Sequence, residues 1–234
     1  MFDGIPNGSP TFVTTGQKFG TGALQTKALA FYEINSGVIS TSDSPFTVEL
    51  WVNRSTAPAT MQVVIGGSGY IGVNSSGCAI FNISSTTNTT INGTTAICDG
   101  AWHHIAAVYD GANITLYVDG KNDATGAVSG TNLDFNDGLW FIGALGADGN
   151  YSLDGALADE VVFWQSAKYT AAFTPPTSAY TGIEGMTALY HLDGNGNNSV
   201  GLPFIIAPND PSIVYSPGNW IISAGSAVTI NAGA

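Results

Sequence analysis

Basic side chains are scarce. The 234 residues hold five Lys and Arg together against 17 Asp and Glu, a formal net charge of −12 at pH 7. A chain of that sign repels polyanions, which argues against nucleic acid and anionic membranes as partners. Charge of either sign is sparse, 9% of the chain, and no apolar run reaches the length of a membrane span. Met1-Phe2-Asp3 shows no charged-then-apolar leader pattern. There are two cysteines, Cys78 and Cys98, each at an expected strand end. They leave two alternatives open, a disulfide between neighbouring strands or buried free thiols. Helical periodicity is missing as well, and so are Gly-x-Ser-x-Gly, Gly-Asp-Ser, His-Glu-x-x-His and a phosphate-binding glycine loop.

What is present is glycine, 30 residues of it, with abundant Ser, Thr and Asn between short apolar runs. The clearest stretch is 99–120. Residues 103–109 alternate with the strand period, and Asp110-Gly111, with Asn113 close behind, supplies a turn. Ile114, Leu116 and Val118 then face one way and Thr115 and Tyr117 the other, before Asp119-Gly120 turns the chain again. In 46–52 both alternating sets are fairly apolar, as in a central strand covered on both faces. Further strands are expected at 61–65, 70–73, 78–83, 94–98, 139–144 and 157–164, with loops at 84–92, 121–137 and 145–153. Residues 168–173 read as a short helical turn stopped by Pro175-Pro176. Turn signals about every ten residues predict an all-β, two-sheet antiparallel sandwich. Composition shifts after residue 200, so a sandwich over 1–200 and a short β extension over 201–234 are expected, the latter with strands near 213–220 and 227–234.

Several of these segments resemble the laminin-G-like (concanavalin A-like lectin/glucanase) family. They are Trp102-His103-His104-Ile105-Ala106 with Leu116-Tyr117-Val118-Asp119-Gly120, the early 46–52 strand, Phe141-Ile142-Gly143-Ala144, and 154–161 with its Asp159-Glu160-Val161. The run 168–177 resembles a closing segment common in versions from phage tail and cell-surface proteins. The resemblance implies a jelly roll whose first and last strands lie close together. This accounts for the two similar acidic turns at 2–8 and 189–196. It also implies a structural Ca²⁺, because Asp3 and Asp159 match acids that often ligate calcium in this family. The alternative for Asp159 is capping of backbone N–H groups.

The residues offer little catalytic chemistry. Glycosidases of this sandwich carry facing carboxylates about 5–10 Å apart. Here Asp159 and Glu160 are adjacent, and Glu49 stands alone on its strand. His103 and His104 are neighbours on a strand, so they face opposite ways and cannot share a metal. A glycan site needs an aromatic plane beside polar loop groups. Tyr151 with Asn150 and Asp148 fits best, followed by Tyr70 and then Trp140 and Trp164. The expected function is therefore non-catalytic, lectin-like carbohydrate binding, with a glycan or polysaccharide as partner. The chain is expected to be tethered to other domains of a larger secreted, cell-surface or phage tail protein, extracellular or on a virion. The alternative is a structural spacer of a tail fibre or surface protein with no small ligand.

Overall fold

The computed structural model describes residues 3–34, 38–39, 44–67, 69–84, 87–129, 139–181, 184–200, 213–216 and 219–222. It separates into two units, 1–200 and 201–234. Among the described residues there is no helix. The first unit is a sandwich of two antiparallel sheets.

The larger sheet has β2 (Thr11–Val13), β3 (Ala23–Gln25), β5 (Phe46–Arg54), β10 (Trp102–Tyr109), β11 (Asn113–Val118), β12 (Lys121–Ala127) and β14 (Ala156–Trp164), ordered β12-β11-β10-β5-β14-β3-β2. Met186–Tyr190, β15, also pairs with β14. The smaller sheet has β1 (Ile5–Asn7), β4 (Phe31–Ile34), β6 (Gln62–Gly66), β7 (Gly69–Val73), β8 (Cys78–Ile83), β9 (Thr89–Ala96) and β13 (Trp140–Ile142), ordered β1-β4-β13-β6-β7-β8-β9. The second unit contains one hairpin, β16 (Ile213–Ser216) and β17 (Asn219–Ile222), so the expected strand near 213–220 is a pair of strands. The strand expected at 227–234 lies outside the described residues.

Alternation places the core. Val48, Leu50 and Val52 of β5, Ile105, Ala107 and Tyr109 of β10, and Ile114, Leu116 and Val118 of β11 join the same buried cluster as Val73, Phe81 and Ile83 of the smaller sheet. The hairpin between β10 and β11 closes as expected, Asp110 Oδ1 accepting from the N–H groups of Ala112 and Asn113 at 2.8 and 2.7 Å. The outward set on β5 is buried too, Thr47 and Glu49 at 0% exposure, because the chain after β14 crosses that face. Ala106, Val108 and Tyr117 there pack under Ala167, Tyr169 and Phe173. This crossing run is not the helical turn expected at 168–173. It is an irregular strap without helix, bent at Thr170-Ala171 so that the Tyr169 and Phe173 rings stack with centroids 3.5 Å apart. The Thr47 hydroxyl donates to Ser166 O at 2.8 Å and accepts from Lys168 N at 3.0 Å, which fixes the strap to the sheet.

Strand structure reaches further than the pattern showed: β9 runs Thr89–Ala96, overlapping the strand expected at 94–98 but starting inside the expected 84–92 loop, and β12 occupies 121–127, expected as loop. Both are edge strands of Thr, Asn, Ala and Gly, with Ile91 of β9 the one apolar residue of its strand that reaches the core. Nearly all residues of both strands are exposed or half-buried whichever face they are on, so few positions must be apolar and the sequence resembles a polar loop. The two edges are clamped together by Asp123. Its carboxylate accepts from the backbone N–H and the hydroxyl of both Thr94 and Thr95, at 2.7–3.3 Å. The chain ends of the sandwich meet as the resemblance implied: Gly4 N–H donates to Gly196 O at 2.7 Å, and Asn198 N–H to Asp3 Oδ1 at 3.0 Å.

Candidate functional site

The loop between β13 and β14 is built from two consecutive tight turns. Gly149 N–H donates to Gly146 O at 2.9 Å and Ser152 N–H to Gly149 O at 3.3 Å. Asp148 organises the tip, its Oδ1 accepting from Asn150 N–H at 3.0 Å and its Oδ2 from the Asn150 side-chain amide. Asp148, Asn150 and Tyr151 are exposed while Gly149 is buried beneath them. The loop is held against the smaller sheet through its backbone: Val63 N–H donates to Tyr151 O at 2.7 Å, and Val63 and Ser152 form a parallel bridge.

Tyr151 is 52% exposed and has a φ of +52°. A bulky residue in the left-handed region carries strain, and strained, exposed residues on a braced loop are common in ligand sites. Tyr70 lies outward on β7, half-buried. Burial raises its phenol pKa, a hydrogen bond with Thr90 opposes this, and Tyr151 raises it again, so the two phenols lie within electrostatic reach. Across the same face, Asn82 donates from Nδ2 to Thr90 Oγ1 at 2.8 Å. The structure thus puts Tyr70 within electrostatic reach of Tyr151, with Asp148 and Asn150 bonded to each other in the same loop.

Trp140 is placed elsewhere. It is 4% exposed, belongs to the central core and meets Phe163 edge-on with ring centroids 5.5 Å apart. Its position at the start of a short strand turns the indole between the sheets, so it offers no ring face to a sugar. Trp164 faces the strap, and its Nε1 donates to Glu49 Oε1 at 2.7 Å.

Glu49 is not alone. Besides Trp164, its carboxylate receives Lys168 Nζ at 3.0 Å and Tyr169 OH at 2.7 Å, with His104 Nε2 at 3.3 Å. Burial alone would raise its pKa, but His104, Lys168 and Tyr169 outweigh it and hold Glu49 at about 2. Lys168 moves the other way for an ion pair, its pKa lowered by burial despite Glu49. The desolvated ammonium thus gives back part of what the carboxylate gains. No strand pattern shows this cluster, because Glu49 is separated by 115, 119 and 120 positions from Trp164, Lys168 and Tyr169, and Lys168 and Tyr169 reach it only when the strap crosses β5. The two neighbouring histidines do separate. His104 is fully buried, while His103 lies between Asp119 at 2.8 Å and Asp99 at 3.1 Å. Burial opposes charge on His103, but the two carboxylates raise its pKa.

Asp159 is fully buried at a bulge of β14, followed by Glu160 with φ +51°. Its Oδ2 accepts from the N–H groups of Lys18 and Phe19 at 2.9 and 3.1 Å, while Oδ1 has no hydrogen-bond partner. Burial pushes Asp159 up to about 7, with Glu160 and Asp193 adding to the rise against the two N–H bonds. Asp193 itself caps Thr21 and Gly22 N–H at 2.6 and 2.8 Å. Glu160 accepts from Tyr180 N–H at 3.1 Å and pairs with His191 Nδ1 at 2.7 Å, which raises the His191 pKa. An orphaned, buried carboxylate oxygen beside further acids fits a hard cation. Among the described residues no three His, Cys, Asp or Glu side chains converge on one point, so such an ion would also draw on backbone carbonyls. Cys78 and Cys98 are free, half-buried thiols.

Comparison with solved structures finds the same sandwich in several bacterial binding domains. The binding domain of Paraclostridial Mosquitocidal Protein 1 superposes with a TM-score of 0.60 at 12% identity, over 72% of this chain and 45% of that one. A putative carbohydrate-binding protein of Bacteroides ovatus gives 0.56 at 16% identity, over 83% and 53%. Domain 4 of the extracellular arabinanase AbnA of Geobacillus stearothermophilus, solved with arabinotriose, gives 0.52 at 17% identity, over 73% and 79%. The match thus spans about half of the first two of these chains. A comparison with curated proteins finds no match. The family model for the concanavalin A-like lectin/glucanases superfamily, of laminin G type, matches residues 4–171, and the chain belongs to that family.

Proposed function

We propose that the sandwich is a non-catalytic carbohydrate-binding module, reading its ligand with the 145–153 loop and the adjoining face of β7. The observation that carries this is Tyr151, an aromatic ring more than half exposed in a left-handed conformation, flanked by exposed Asp148 and Asn150. Tyr151 supplies the plane for a sugar ring, Asp148 and Asn150 address hydroxyls, and Tyr70 supports the inner side. The solved relatives described as carbohydrate-binding, or bound to arabinotriose, support the class of ligand. The −12 charge favours neutral glycans. A single exposed site of this kind binds weakly, which suits display from a larger secreted, surface or phage tail protein.

The reading includes a structural Ca²⁺ on Asp159, whose orphaned Oδ1 is the open ligand position, with Asp3 as the second acid proposed to take part. When bound, the ion would supply a fixed positive charge that stiffens the turns behind the sheet. The test is a screen of the folded chain against plant, bacterial and animal glycans in millimolar calcium. Selective binding that falls on Tyr151→Ala supports the reading. No binding by a folded sample would refute it and favour the structural spacer.

A further inference from the structure

Three large apolar side chains are prominently exposed among the described residues: Ile5 at 50%, Leu29 at 62% and Tyr151 at 52%. Two of the three meet at one place. Leu29 N–H donates to Ser152 Oγ at 3.1 Å, the residue after Tyr151. On the other side of Tyr151, a Cβ added to Gly149 would lie 2.8 Å from Leu29 Cδ2. The leucine side chain therefore covers the glycine backbone, which explains why Gly149 is buried at the tip of an exposed loop. Leu29 touches the loop on both sides of Tyr151.

Leu29 is also left-handed, with φ +60°. A β-turn of this kind is made without strain by Gly or Asn. Leucine there costs conformational energy and gains little burial in return. The surroundings hold it in place: Ala30 N–H donates to Lys27 O at 3.0 Å, and a Cβ on Gly8 would lie 1.7 Å from Leu29 O, so the backbone of Gly8 abuts it. Two bulky residues in strained conformations, both more than half exposed, with Leu29 packed on the loop at Gly149 and bonded to Ser152 on either side of Tyr151, are poorly explained by folding.

We propose that Leu29 is a specificity-determining residue, which with Tyr151 and Asp148 forms a subsite for the acetamido group of a neutral N-acetylated sugar. This deepens the carbohydrate-binding reading and rests on it. An acetamido group carries a methyl and an N–H donor together. The methyl takes the Leu29 surface and the sugar ring takes the Tyr151 plane. The N–H donates to Asp148, whose carboxylate oxygens each keep a second lone pair beyond the bonds to Asn150. The excess of acids disfavours sialic or uronic acid ligands.

The test is calorimetric titration of the chain with N,N′-diacetylchitobiose and with cellobiose, which differ in the acetamido groups on the same linkage. The wild type is expected to prefer the acetylated disaccharide by about tenfold, from one methyl contact and one hydrogen bond. Leu29→Asn keeps a residue suited to the left-handed backbone and removes the apolar surface. It should cut the preference to about two- to threefold, the share left by the Asp148 hydrogen bond, and the melting temperature should not fall because Asn relieves the left-handed strain. Sugar binding that falls on Tyr151→Ala but shows no acetamido preference, or a preference that stays near tenfold in Leu29→Asn, overturns this inference alone. Failure of the wild type to bind any sugar overturns the carbohydrate reading along with it.

Discussion

Replacing Glu49 by Gln removes one charge from the most densely bonded buried acid in the sandwich. The amide can still accept from Trp164 Nε1 or Tyr169 OH, so packing and most hydrogen bonding survive. What is lost is the counter-charge for Lys168, held at 3.0 Å. The carboxylate pKa falls from 4.5 to about 2 on folding. At about 1.4 kcal/mol per pKa unit, that shift corresponds to about 3 kcal/mol in favour of the folded state at neutral pH. The lowered pKa of Lys168 offsets part of it. Because the folded pKa is depressed, the contribution is complete above pH 4.5 and is lost as pH falls towards 2. Urea unfolding of wild type and Glu49→Gln, followed by tryptophan fluorescence, should give a stability difference of about 2–3 kcal/mol at pH 7 that shrinks through this window. A difference that stays constant from pH 6 to pH 2, or a loss of less than about 0.5 kcal/mol at pH 7, would refute the assigned role of the charge.

Calcium at 1 mM, against a chelator, should raise the melting temperature of the wild type by a few degrees, on the order of 1 kcal/mol. Asp159→Asn should abolish that rise, and a shift that persists in the variant would remove Asp159 as ligand. Asp123→Ala deletes the clamp between the two sheet edges and should cost about 1–3 kcal/mol in urea unfolding, with faster amide exchange along Thr94 and Thr95 as its local signature. Arg54→Lys should also destabilise, by about 2 kcal/mol. The guanidinium reaches Thr56 O, Gln62 Oε1 and Asp154 O, and an ammonium cannot span all three; unchanged stability would contradict that.

The sequence by itself determined the two-sheet antiparallel sandwich, because alternation within a strand is a local consequence of the pleat. Residues 78–83 emerge as a strand with the bounds read from their pattern, and the alternating 114–118 stretch lies in β11. The doubly apolar 46–52 segment is the central β5, covered on its outer face by the strap. The exposed polar loop with Tyr151 was legible too, from its glycines and polar residues between two strands. Tertiary structure alone decided the rest. Glu49 and Lys168 are 119 positions apart, and no local pattern shows that the strap brings them together. Trp140 reads equally as rim or core until the position of β13 turns it between the sheets. Edge strands β9 and β12 lack alternation because nearly all their residues are exposed or half-buried on both faces. Leu29 carries no signal at all in Lys27-Ala28-Leu29-Ala30. Its exposure and positive φ exist only because a turn and the loop 120 residues later fold against each other, and side-chain type alone does not encode that distance.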